Sequence, residues 1–472
     1  MSERRHSPAS SAPADSAAST APPLARDEAE RRLRDALAAA GAAGSDAAEA
    51  LIEARHESLT RFANNEIHQN VTSANRALTL RVRLGRRLGT AGTNRADRAG
   101  LAATAERAVA IARLAPEDPD LPDLAPPAAP RALDAFVPAT AASSPEERAD
   151  AVGPVLRQAE AQGLNAAGAL TASATSFAYA NTLGQFAWQP ETYAQFTCTV
   201  RSPDSSGWVD RHRRDVRALE AEALGRAAIE KAERSRAPAA IEPGSYTVVL
   251  EPNAVAELVS FLAVLGLGAQ AEQEGRAFLT GKLGTRVTGE RVTLVDDAYD
   301  PRGFGRPFDH EGTPRAVMTL IERGIARAVV HDRRTAKRAG VASTGHASPP
   351  PATDGPLPYS LVLAAGDQTL EQLIAGTERG ILVTRFWYNR VVDAKKTLVT
   401  GMTRDGTFLI ERGKRVRGLR NLRFNESVLG VLERAEAFGR EGEPTVFDYS
   451  GNCVVAPALR VRDFRFTGVS PF

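Results

Sequence analysis

The sequence predicts an α+β protein of two domains, a mixed α/β N-terminal domain followed by a mostly antiparallel, β-rich C-terminal one. Three observations carry this. At 472 residues the chain is longer than one ordinary compact core organises. Its first half alternates Ala-rich stretches of helical period with stretches of strand period, whereas its second half sets one long apolar segment, 254–269, among many short strands. Between them RAPAAIEPG, residues 236–244, places two prolines and a glycine ahead of the strand-like YTVVLEP. The expected units are a disordered tail over 1–26, rich in Ser, Ala and Pro, an N-terminal domain over 27–238 and a C-terminal domain over 239–472.

Taken in order, Asp27 to Ala43 reads as a helix because Leu33, Ala36, Leu37 and Ala40 recur at its period. The alternation of Leu78, Leu80, Val82 and Leu84, with SLTRFANNEIHQNV before it, predicts paired strands around a turn. Leu101 to Leu114 is an amphipathic helix, and 116–130, full of prolines and acids, is a linker or long surface loop. Ser144 to Gln162 is helical, with SPEE supplying the cap and first-turn acids. Strands follow over 167–209, then a charged helix over 215–235. In the second half Asp405-Gly406, between TLVTGMTR and TFLIER, signals a hairpin turn. No fixed-period repeat is apparent.

Composition narrows the function classes. Hydrophobic residues at 43% and charged residues at 25% are those of a soluble globular protein, and no apolar run approaches the ~20 residues of a membrane span. A net charge of +2 lacks the basic excess of a dedicated nucleic-acid binder. Cys198 and Cys453 lie far apart and form no CxxC, which suits a reducing cytoplasm. GLGAQA, Gly266 to Ala271, partly fits a dinucleotide fingerprint with Glu290 downstream, but no alternating βαβ pattern surrounds it.

Several segments, in order across roughly residues 48–470, resemble the TldD/PmbA (TldE) metallopeptidase family. They are RFANNEIHQN (Arg61 to Asn70), ANTLG (Ala180 to Gly184), FLTGKLGTRV with the following LVDDAYDPRGFGRPFDHEGTP, STGHA (Ser343 to Ala347) and, most specific, residues 380–414. In active members a helix after a strand like YTVVLEP carries HExxxH, whose two His bind Zn²⁺ while the Glu serves as general base. Here that segment is AVAELVSFLAVLGLGAQ, and the family's His positions fall at Ser260 and Leu265, its Glu position at Phe261. No His lies between His212 and His310 to restore the set, and Cys453 alone cannot hold a catalytic zinc.

The resemblance therefore implies the TldE/PmbA side of the family: no metal in this chain, zinc in a TldD-like partner subunit bearing HExxxH, and a shared chamber for peptides or unfolded segments in the cytoplasm. The alternative is a catalytically silent homodimeric peptide-binding or scaffold protein. Candidate substrate or interface residues are Asn64, Asn65 and His68, which line a peptide-binding face or form the outward side of a strand, and His346, a chamber residue or a satisfied loop histidine. Arg385, Tyr388 and Arg404, crowded with Arg390, Lys395 and Lys396, suit recognition of peptide carboxylates or a subunit contact. His310-Glu311, followed by Gly312 and Pro314, reads as a surface turn. Cys198, in FTCTV, reads as a core residue.

Overall fold

The structure is a computed structural model that describes residues 19–447 and 452–470. Its N-terminal half begins with α1 (Arg26–Ala42), β1 (Ala47–Ala63), β2 (Glu66–Leu84), β3 (Arg87–Thr93) and α2 (Arg98–Leu114). After a coil over 115–137 come α3 (Pro138–Ala141), α4 (Pro145–Ala161), β4 (Asn165–Asn181), β5 (Phe186–Arg201), β6 (Ser206–Arg213), a 3₁₀ turn at Val216–Leu219 and α5 (Ala221–Arg234). The six strands form one antiparallel sheet in the order β3-β2-β1-β4-β5-β6. All the helices' apolar stripes meet one face of it, in one core under α1 and α2 and another under α4 and α5.

This order is a repeat. Helix, three-strand meander and helix occur twice, joined at the sheet centre by antiparallel pairing of β1 with β4. The sequence shows no period because the two copies share backbone contacts rather than residue patterns. In the first, Gly89 on β3 lies so close to α2 that an added Cβ would stand 2.0 Å from the Ala108 carbonyl oxygen and 2.6 Å from the Ala112 nitrogen. In the second, a Cβ on Gly207 of β6 would stand 2.1 Å from the Ala228 oxygen and 2.5 Å from the Ala232 nitrogen of α5. Each terminal strand is thus pressed onto its closing helix through a glycine and two alanines one turn apart.

Local signals set the helix ends. Ser144 accepts from the Glu147 amide while Glu147 returns a bond to the Ser144 amide, a complete capping box with Pro145 behind the cap. The coil 115–137 is not the free linker its prolines suggest. Leu124, Ala125 and Ala135 are buried, and Asn181 donates to the Ala125 carbonyl at 2.8 Å, so the segment is a strap along the sheet. Of the expected tail, residues 1–18 lie outside the described residues. Leu24 is buried, donating to Ser176 Oγ and accepting from Trp188 Nε1, both at 3.1 Å.

The C-terminal half runs β7 (Gly244–Leu250), α6 (Pro252–Gly266), α7 (Ala269–Gln273), β8 (Leu294–Asp296), β9 (Met318–Glu322), β10 (Ile325–Ala326), α8 (Arg333–Ala339), β11 (Ser360–Leu363) and α9 (Leu370–Ala375). It continues with β12 (Arg379–Asp393), β13 (Leu398–Glu411), β14 (Lys414–Gly418), β15 (Leu422–Ser427), α10 (Val428–Glu433), β16 (Ala435–Phe447) and β17 (Asn452–Val469). Antiparallel pairs dominate, with parallel exceptions at β7–β12 and β11–β17. Because β17 pairs with β7 as well as β15, strands β7, β12, β13, β15 and β17 close on themselves.

Alternation then sorts the side chains. Val248, Leu250, Ile381, Val383, Leu459 and Val461 pack with α6, while Val249, Leu382, Phe408 and Ile410 point to the opposite side with Leu373 of α9. The apolar segment 254–269 is thereby explained: α6 is buried on most of its circumference. One expectation fails. Asp405-Gly406 is not a hairpin turn but a bulge inside β13, where both residues have positive φ and stand between the Val383–Thr407 and Arg385–Arg404 pairs. The ion pair of Asp405 with Arg385 holds it there.

Gly89→Ala and Gly207→Ala should each destabilise the N-terminal half by about 3 kcal/mol, since neither β-carbon has room against helix backbone. Urea unfolding checks this, and the symmetric contact requires the two losses to be alike; a neutral variant would refute the close packing.

Candidate functional site

The sheet that covers four long helices on one face carries unusual chemistry on the other. On β1, Ala48, Ala50, Ile52 and Ala54 go to the helix core, so Glu49, Leu51, Glu53 and Arg55 face away from it. On β5 and β6, Phe196, Cys198 and Val209 go to the core, leaving Tyr193, Gln195, Trp208, Asp210 and His212 opposite. The C-terminal half lies against this polar face. Between them is a cavity of about 480 Å³, lined among others by Glu53, Glu191, Tyr193, Arg306, His310 and Tyr359.

The loop 304–315 docks here. Arg306 reaches across to donate to Glu191 Oε1 at 2.6 and 2.9 Å and to Glu53 Oε2 at 3.1 Å, its guanidinium 4.6 Å above the Phe177 ring. Asp309 caps the next turn, accepting from the amides of Glu311, Thr313 and Ala347 at 2.8–2.9 Å. Gly312 sits where a Cβ would meet the Tyr179 ring at 2.2 Å, and its carbonyl accepts from Gln185 at 2.7 Å. His310-Glu311 is therefore a turn, as its glycine and proline imply, but one half-buried between the two halves rather than on the open surface. Burial, with Arg306 nearby, lowers the His310 pKa to about 3, so its ring is neutral. Burial and the adjacent Asp309 raise the Glu311 carboxyl above its ordinary range.

His346 is fully buried, between Thr344 Oγ1 at Nδ1 and Asp296 Oδ1 at Nε2, both 2.9 Å. Asp296 also accepts from Arg315 at 2.9 Å and from the Ser360 amide at 2.8 Å. Burial opposes its charge, but Arg315 and His346 prevail and hold it well below the usual carboxylate range. His346 thus lines the cavity as the buried partner of an aspartate.

The 380–414 block brings Arg385 and Arg404 together with two tryptophans. Arg385 lies 4.1 Å from the Trp208 ring and 5.0 Å from Trp387, and Arg404 lies 5.1 Å from Trp387. Tyr388 is exposed with positive φ, and Trp387, Val391 and Val392 are exposed beside it. Asn64, Asn65 and His68 do not line the cavity. Asn64 and Asn65 form the β1–β2 turn, both with positive φ, and Asn65 ties it to β4 by bonds to Leu164 and Ala166. His68 is exposed on β2 beyond it.

Sequence reading missed two groups. Tyr193 hydroxyl lies 2.9 Å from His212 Nδ1, whose Nε2 lies 2.9 Å from Asp210, a relay that fixes the phenol at the cavity wall. The signal was present as alternation in YAQFTCTV and WVDRH. Glu257 accepts from the Phe386 amide at 2.7 Å, and burial, opposed by Arg385, pushes its carboxyl up to about 8.

Asn253, Glu257, Phe261 and Val264 make the one incompletely buried stripe of α6. The positions that would carry zinc ligands in HExxxH offer no donor set. Ser260 Oγ donates to the Glu257 carbonyl of its own helix at 2.9 Å, Leu265 is buried in the core, and Phe261 packs against that core. Cys453 is buried on β17, its thiol pushed up to about 12 by burial. Among the described residues no three His, Cys, Asp or Glu side chains are grouped to hold a metal. The residues do not fit zinc. Nor does GLGAQA fit a dinucleotide: it joins α6 to the short α7, with no strand before it.

Domain models of one family match three stretches in order: PmbA/TldA metallopeptidase domain 1 over 48–112, the central domain over 139–236 and the C-terminal domain over 243–468. The chain belongs to the PmbA/TldD metallopeptidase family. The first two PmbA/TldD models fall on the two copies of the helix–meander–helix repeat. The structure of TldE from Thermococcus kodakarensis shares the fold, with a TM-score of 0.84 and 21% identity over 93% of this chain and 100% of that one. A metalloprotease of Methanothermobacter thermautotrophicus is 25% identical over 57% of this chain, and an uncharacterised protein of Methanocaldococcus jannaschii 29% identical over 34%. The matches span 60% and 38% of those relatives' lengths. No helix among the described residues is long and apolar enough to cross a membrane.

Glu257 gives a pH test with a definite sign. Its pKa is raised from 4.5 to about 8 on folding, so the protonated group's stabilisation is full below pH 4.5 and lost as pH rises through 8. Glu257→Gln keeps the acceptor for Phe386 and removes the titration. The variant's unfolding free energy relative to the parent should rise by about 4 kcal/mol between pH 5 and pH 9, read from urea midpoints. A difference that stays flat would show the carboxyl to be ionised throughout.

Proposed function

We propose that this chain is the metal-free subunit of a two-subunit TldD/TldE-type peptidase of the cytoplasm, in which a TldD-like partner bearing HExxxH supplies the zinc and the general base. The observation that carries the reading is α6. It follows β7 as the resemblance expects of the helix bearing HExxxH, and here Ser260, Phe261 and Leu265 are committed to its own backbone and the core. Chemistry on peptides then has to come from another subunit, and this chain contributes wall and positioning.

Two features support such a role. The polar face of the sheet and its cavity offer Arg, Glu and Tyr side chains to an extended peptide or unfolded segment. The exposed Trp387, Tyr388, Val391 and Val392 on β12 give an apolar ridge with Arg390 over the Tyr388 ring, the composition of a subunit contact.

Affinity capture of the chain from its own cells should recover a near-stoichiometric relative carrying HExxxH. The mixed pair should cleave an unfolded peptide, with activity lost to a chelator, while the isolated chain should be inactive with zinc present. Zinc-dependent cleavage by the isolated chain at stoichiometric metal would overturn the assignment. Capture of the chain only with itself would favour a homodimeric peptide-binding protein.

A further inference from the structure

A second cavity, of about 650 Å³, opens between the N-terminal ends of α4 and α5, separate from the one between the two halves. Arg148 lines it, although this side chain is only 1% exposed. Its Nε donates to Thr60 Oγ1 at 3.0 Å and its Nη1 to the Ser143 carbonyl at 2.6 Å. Its Nη2 is buried without a partner. The guanidinium feels Glu146 and Glu147, but no carboxylate is bridged to it among the described residues, which leaves a buried donor to be met.

A second, independent feature meets at the same place. The 14-residue α5 begins at Ala221 with no side-chain cap, and Ala221, Glu222 and Ala223 of its first turn line the cavity. Uncapped first-turn amides at the positive end of a helix bind anions. The walls are apolar, with Leu170, Val216, Ala151 and Pro154. The acids are Glu147, engaged in the α4 capping box, Glu222, paired with Arg226 at 2.6 Å, and the exposed Asp150 and Glu220.

We propose that this cavity binds a small zwitterion with an apolar side chain, a free amino acid or dipeptide of the leucine type. Its carboxylate meets Arg148 Nη2 and the first-turn amides of α5. Its side chain rests on Leu170 and Val216, and its ammonium group faces Asp150 and Glu220. The volume is that of a small-molecule site. The assignment does not depend on the subunit role above.

Calorimetric titration of the full chain with leucine, leucyl-leucine, N-acetylleucine and leucinamide tests it. Leucine or leucyl-leucine should bind with a Kd below about 10 mM, and leucinamide and N-acetylleucine should each bind at least about tenfold more weakly. Ala223→Asp places a carboxylate in the first turn of α5, where it favours the helix, so the variant should fold and lose binding. Arg148→Lys should weaken binding by about tenfold or more. Absence of binding by all four ligands up to about 10 mM would overturn the site, as would equal binding of leucine and leucinamide. Equal binding of N-acetylleucine would overturn its zwitterion character. Unchanged affinity in Ala223→Asp would place the ligand elsewhere.

Discussion

Charge buried between the two halves is the constraint on which the rest of the molecule depends. Glu49 and Arg81 lie 3.1 Å apart, with side chains only 7% and 9% exposed. Tyr179 donates to Glu49 at 2.6 Å, and Arg81 donates to the His310 carbonyl at 2.6 Å. Charges removed from water are tolerated when hydrogen bonds satisfy them, and they cost several kcal/mol when a partner is lost. The network therefore tolerates few relative positions of sheet and loop. Apolar contact alone would be less particular, and the small cluster of Leu51, Phe177, Tyr179, Ala187 and Phe308 beside it is modest. The Arg306 fork onto Glu53 and Glu191 extends the same principle toward the cavity, so the cavity's shape follows from where charge is paired.

The helix core and this charged seam lie on opposite faces of one sheet, which explains the composition of β1. Its inner positions are alanine and isoleucine, while its outer ones hold Glu49 and Glu53, whose partners lie far along the chain, and Arg55, which pairs with the nearby Glu57. Alternation is legible in such a strand. What it alternates against is not.

The same division decides how much of the molecule the sequence exposes. Helices α1, α2 and α4 were legible because their signals are local: an apolar period in all three, first-turn acids in α1 and α4, and a capping side chain in α2 and α4. The repeat was not, since it rests on Gly89 and Gly207 meeting alanines on different helices, a contact made in three dimensions. Asp405-Gly406 carries the chemistry of a hairpin turn, and only pairing across to β12 makes it a bulge instead. The buried turn at 309–312 shows the same limit, because its glycine and proline report a turn but not what covers it. Of the candidate residues, Arg385, Tyr388 and Arg404 were gathered by one contiguous block, whereas Tyr193 and His212 needed strand pairing to meet. Arg148 left a trace: it precedes Val152, Val155 and Ala159 on the core-facing stripe of α4, where an arginine is out of place.

The fold of α6 also shows why metal ligands can be absent without loss of structure. Burial of Ala254, Val255, Leu258, Val259, Leu262 and Ala263 fixes the helix against the closed strands, and none of these is a ligand position. Ser260 and Leu265 are buried with that packing, and Phe261 sits at its margin. Leucine there adds apolar area to the core, at roughly 25 cal/mol per Å² removed from water, where a ligand histidine would need a polar partner. The polar group near this margin, Glu257, is turned to β12, where it accepts from the Phe386 amide and from Asn389 and so holds the irregular strand that bears Trp387 and Tyr388. Here α6 braces the strand that bears an exposed ridge, and its partly buried stripe serves that contact.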